Sequence, residues 1–81
     1  MIINFKDVQD FNKKIISLGF TQRSFAKEIG ISGPYFNQIV NENRYPSPKV
    51  AKKICDAVGS TFDEIFFVNQ DNKSYQTKTI A

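Results

Sequence analysis

The chain has 81 residues, with 11 Lys and Arg against 8 Asp and Glu and a hydrophobic share of 41%, which suits one small domain and leaves little sequence for an enzyme active site. The complete lack of His excludes the commonest general base, the His-dependent triads and any His-containing metal site, and a single cysteine, Cys55, cannot close an intramolecular disulfide. The expectation is a protein that is not an enzyme, with no metal and no cofactor. The Met1–Asp7 start carries no basic region followed by an apolar run, and no stretch approaches the roughly 20 apolar residues of a membrane span, so a cytoplasmic chain without a membrane partner is expected.

In chain order, Phe5, Val8, Phe11, Ile15, Ile16 and Leu18 recur at helical period and predict a first helix, with Asn4 as its N-cap, Asp7 in its first turn and Gly19 as its stop. Thr21 opens a second helix over 22–29, whose inward residues Phe25, Ala26 and Ile29 leave Arg23 and Lys27 outside; Gly30 ends it. Only Ile31 separates that glycine from the next cap, Ser32, so the following helix, 33–41, must turn sharply against the second. It buries Phe36, Ile39 and Val40 and shows an uncharged polar face with Pro34, Gln38 and Asn41, flanked by Tyr35 and Asn37.

After the loop 42–46, Ser47-Pro48 starts a fourth helix that ends at Gly59, and Thr61-Phe62-Asp63-Glu64 has capping-box spacing for a short fifth helix. No segment before residue 67 alternates as a strand would, so the fold class expected is all-α with five helices. The division is a domain over 1–67 and a polar tail over 68–81, disordered or forming a short hairpin around Asp71-Asn72 with a segment near Tyr75 to Ile80. Phe67 and Val68 either form a dimer patch or fold back onto the first helix.

Charge is uneven. Residues 20–53 carry Arg23, Lys27, Arg44, Lys49, Lys52 and Lys53 against Glu28 and Glu42, so the middle of the chain is the side expected to meet an anion, although the three later lysines also read as a solvated helix face. Two helices joined by a tight turn, the second with an amide-rich face, form a helix-turn-helix. Its amides Asn37, Gln38 and Asn41 offer donors and acceptors that match base edges, while Arg and Lys neutralise phosphates. The N-terminus of the helix that opens at Gln22 suits a phosphate oxygen.

Residues 19–66 resemble the phage Cro/repressor-type helix-turn-helix proteins, also called the xenobiotic-response-element family. The resemblance rests on the Thr21-Gln22 opening, Ala26 ahead of Ile29-Gly30-Ile31-Ser32, Tyr35, the Pro46-Ser47 entry and the closing Asp63-Glu64-Ile65-Phe66. It implies a five-helix lambda-repressor-like DNA-binding domain that acts as a homodimer on a palindromic operator to regulate transcription, a repressor in preference to an activator. It also implies that Gln22 contacts a phosphate and braces the recognition helix, that Gly33, Pro34, Asn37 and Gln38 face base edges, and that Tyr35, Asn41 and Arg44 approach the backbone. Arg23 and Lys27 join the backbone set by charge. Val40 and Glu42 depart from the Glu and Gly common in the family at the end of this helix. The rival reading is a protein-interaction module, antitoxin-like or accessory, that uses the same fold.

Overall fold

The computed structural model describes residues 2–69. The elements run β1 (Ile2–Phe5), α1 (Val8–Ser17), α2 (Gln22–Ile29), α3 (Gly33–Val40), α4 (Pro48–Val58), α5 (Phe62–Ile65) and β2 (Phe66–Asn69). Helices α2 to α5 fall where the periodicity and caps place them, α1 begins later than its period suggests, and the molecule is not purely helical. β1 and β2 pair antiparallel with Ile3 opposite Val68 and Phe5 opposite Phe66, and the ladder continues through Lys6 N–H to Ile65 C=O at 2.9 Å.

That ribbon corrects the reading of the N-terminus. Asn4 sits inside β1, and Asp7 caps α1, its carboxylate accepting from the N–H groups of Gln9 at 3.0 Å and Asp10 at 3.1 Å. Phe5 therefore leaves the α1 stripe and packs from the strand onto Phe11 and Phe66, with ring centroids at 4.9 and 4.8 Å. Ile16 and Leu18 are corrected too. They are 67% and 50% exposed, because the face of α1 turned to the core is the narrower stripe of Phe11 and Ile15, with Val8 at its edge. Phe67 does not fold onto α1: it lies in β2 opposite Asn4. Val68 and Asn69 are likewise paired in the ribbon, and the rest of the tail expectation, including the Tyr75 to Ile80 segment, lies outside the described residues.

The helices end where local chemistry ends them. Thr21, Ser32 and Ser47 each accept an N–H three residues on, from Ser24, Tyr35 and Val50, which satisfies donors a helix start leaves unpaired. Gly30 closes α2 at φ +81°, a conformation that lets the chain reverse within the space of Ile31 and Ser32.

The core is apolar throughout: no polar or charged residue is buried among the described residues. Phe25, Phe36, Phe66, Ile15, Ile39 and Ile54 are its largest fully buried side chains. Edge-to-face and tilted contacts link Phe5, Phe11, Phe20, Phe25 and Phe36, with Phe62 joined through Phe66. The aromatic cluster thus connects the ribbon directly to the inner face of α3. Such pairs add about 0.5–1.5 kcal/mol each beyond simple burial, and they hold α3 at a fixed height over the core.

Candidate nucleic-acid interface

The helix-turn-helix angle follows from burial. α2 is anchored by Phe25, Ala26 and Ile29 and α3 by Phe36, Ile39 and Val40, so each helix turns its polar side outward. Their N-terminal ends converge on an open crevice of about 470 Å³ lined by Gln22, Arg23, Gly33, Pro34 and Asn37. Five residues expected to meet DNA, from two different helices, are thereby brought to one place. Gln38, one position after Asn37, is also exposed.

Thr21 and Ser24 cap α2 reciprocally, Ser24 N–H to Thr21 Oγ1 at 3.0 Å and Thr21 N–H to Ser24 Oγ at 2.8 Å. The N–H groups of Gln22 and Arg23 then have no intramolecular partner among the described residues, and the positive end of the α2 dipole opens on the crevice. A glycine at 33 and a proline at 34 keep the α3 side of the crevice low, so that the reach into it comes from Gln22, Arg23 and Asn37.

Gln22 is fastened to α1 rather than to α3: its Nε2 donates to Asn12 Oδ1 at 3.2 Å. Sequence reasoning missed Asn12, since a side-chain pair ten residues apart on separate helices leaves no periodic trace. A second pair was legible only as spacing. Asn41 Nδ2 donates to Asn37 Oδ1 at 3.1 Å, one helical turn along the exposed face of α3.

From the loop after α3, Arg44 reaches back over the ring of Tyr35 in the first turn of that helix, 5.4 Å from its centroid, a cation–π contact that holds the guanidinium beside the helix instead of leaving it on a free loop. The helix closes with Glu42 N–H to Ile39 C=O at 3.0 Å and Asn43 N–H to Gln38 C=O at 2.9 Å, the pairing of a Schellman turn. Glu42 occupies its left-handed position at φ 62°, where glycine fits without strain. Glu42 and Arg44 also border a small gap between that loop and Ile3, Asn4 and Phe5 of β1.

The other cations divide. Lys27 is exposed one turn after Arg23 on α2. Lys52 pairs with Asp56 at 3.3 Å on the outside of α4, and Lys53 borders a separate crevice with Glu28, Ile29, Asp56 and Ala57. The basic middle of the sequence is therefore not a single patch, and Arg23, Lys27 and Arg44 are the cations carried by the helix-turn-helix and its closing loop. Phe67 and Val68 are outside the crevice on β2, 44% and 43% exposed. No helix of the described residues is long and apolar enough to cross a membrane, and no His, Cys, Asp or Glu cluster there could hold a metal ion.

Comparison with known proteins agrees with this geometry. The family model HTH_3, described as Helix-turn-helix, matches residues 13–65, from α1 to the end of α5. No curated protein and no solved structure gave a match. With well over half of its length inside that model, the chain belongs to the helix-turn-helix family of the Cro/repressor type, a family of DNA-binding domains of transcription-regulator kind.

Proposed function

We propose that the protein is a sequence-specific transcriptional repressor that lays α3 in the major groove of a palindromic operator as a homodimer. The observation that carries this reading is the crevice in which Gln22, Arg23 and Asn37 meet beside two helix N-termini. Gly33, Pro34, Asn37 and Gln38 face the base edges, with direct hydrogen bonding falling to the two amides and Pro34 suited to a thymine methyl. Gln22, Arg23, Lys27, Tyr35, Asn41 and Arg44 hold the sugar-phosphate backbone. Repression follows from occupancy alone, since blocking polymerase asks nothing more of the domain than a filled site.

Dimerisation is assigned to β2. With Lys6 and Ile65 a hydrogen-bonded pair, the alternation along the ribbon turns the N–H and C=O of Val68 to its outer edge. An apolar strand edge of this kind pairs with its own copy across a two-fold axis, and Phe67 and Val68 supply the contact. One module buries only about 600–1,000 Å² on DNA, so two protomers on half-sites about one helical turn apart give the needed specificity.

Selection of bound sites from random duplexes tests the proposal. The expected result is a two-fold symmetric consensus and an affinity that falls with salt at a logarithmic slope of about −5, from three cations on each of two protomers. Absence of duplex binding, or binding indifferent to salt, overturns it and favours the same fold acting as a protein-interaction module, a reading that the exposed Phe67 and Val68 also suit.

A further inference from the structure

The pair Asn37–Asn41 constrains what α3 can read. The two amides lie one turn apart on the exposed face of α3, joined from Asn41 Nδ2 to Asn37 Oδ1 at 3.1 Å. That polarity has a physical reason: Asn41 is the C-cap of α3, at the negative end of the helix dipole, where an N–H-bearing group is favoured facing back along the helix. One of the two lone pairs of the Asn37 oxygen is thereby engaged from within the helix, which turns that oxygen back along α3 and leaves the two N–H donors of Asn37, a lining residue of the crevice with Gln22 and Arg23, without a partner among the described residues. The Gln38 side chain makes no hydrogen bond among the described residues and keeps both its donor and its acceptor.

We propose that Asn41 is a specificity-determining residue: by holding the oxygen of Asn37 back along the helix, it orients Asn37 as a donor that selects guanine over adenine at the base pair it meets. The chemistry is one of matching edges. Guanine shows two acceptors, N7 and O6, in the major groove, whereas adenine shows the acceptor N7 beside the N6 donor, so a free amide suits adenine and an amide reduced to its donors suits guanine. Desolvation of the pair in the groove strengthens its internal bond and sharpens the choice. The inference rests on α3 being the recognition helix.

The test compares duplexes that differ only at the base pair Asn37 contacts, recognised as the position whose preference changes in Asn37→Ala. Wild type is expected to prefer guanine there. Asn41→Ala frees the oxygen of Asn37 and should raise the affinity for adenine relative to guanine by about fivefold, the size of one neutral hydrogen bond. Asn41→Asp can only accept, so it draws the Asn37 amino group inward and exposes the oxygen; the preference should then move away from guanine to bases with a donor, adenine or cytosine, while all affinities fall because of the added charge. If Asn41→Ala and Asn41→Asp rescale all four bases equally, or wild type prefers adenine at that position, Asn41 has no such role and the DNA-binding reading still stands. If wild type binds no duplex, that reading and the role of Asn41 fall together.

Discussion

Glu42 is a side chain in a place that suits none. Its left-handed φ of 62° closes the Schellman turn after α3, and a residue with a Cβ is strained there by about 1–2 kcal/mol relative to glycine, partly offset by the larger chain entropy that glycine loses on folding. Glu42→Gly should therefore raise stability by about 0.5–1 kcal/mol, or a few degrees in thermal midpoint. It should also tighten binding to every duplex, because it removes a carboxylate from the loop that carries Arg44. Thermal melts and titrations on matched and mismatched DNA check the two effects; a lower midpoint would mean that the Glu42 side chain makes a contact worth more than the strain. Cys55 has a simpler role. It is buried on the inner side of α4, and burial, aided by the neighbouring Asp56 and Glu64 carboxylates and opposed by Lys52, holds its thiol above the ordinary value, so at neutral pH it packs as a small apolar group.

At the scale of elements, the short α5 depends on its first turn. Thr61 donates its N–H to Glu64 Oε1 at 2.7 Å and its hydroxyl to the same oxygen at 3.2 Å. The backbone bond first, then the hydroxyl, and Lys14 more weakly, pull the Glu64 carboxyl below its ordinary value against a small opposing effect of burial. A lowered folded value means stabilisation that is present above the ordinary carboxylate pKa and lost as pH falls through the lowered one. The gap in thermal midpoint between wild type and Glu64→Ala should accordingly be constant near neutral pH and narrow as the solution is acidified below about pH 4.5; an unchanged gap would show that the carboxylate charge is not what caps α5. The elements legible in the sequence are those whose signals are local. The Thr21, Ser32 and Ser47 caps and the glycine stops are all fixed within a few residues, and α2, α3 and α4 followed. β1 was not legible. Four residues are too few to show alternation, the apolar Phe5 fitted the α1 period by coincidence, and the partner strand is at the opposite end of the described chain. Asn4 and Asp7 are both capping residue types, and only the ribbon decides between them by claiming Asn4.

For the whole molecule, the helix-turn-helix crevice and the strand edge are physically separate features, and substitutions should separate the roles proposed for them. Phe67→Lys with Val68→Lys places charge on the free edge of β2 without touching the crevice. Sedimentation equilibrium should then report a monomer, and affinity for a two-fold symmetric site should drop steeply while binding to a single half-site is retained. Equal loss on both would place Phe67 and Val68 in the folding core instead of an interface. Most of the candidate site was readable as residue types on the outward sides of two successive helices. Its internal wiring was not, because Gln22 with Asn12 and Arg44 with Tyr35 are joined through space by the angle between helices and by the return of a loop.

The antiparallel pairing of Ile3 with Val68 has a kinetic consequence. Together with the neighbouring pair Ile2 and Asn69 it joins the two ends of the described residues, and closing so large a loop before the helices have packed would cost entropy with no apolar surface yet in place to offset it. The helix-turn-helix, built from neighbours in sequence, is thus expected to condense first and the ribbon to zip up last. By the same reasoning the ribbon is the first part to open, so its amide protons should exchange with solvent sooner than those of α3, leaving a helix-turn-helix that outlives the strand edge.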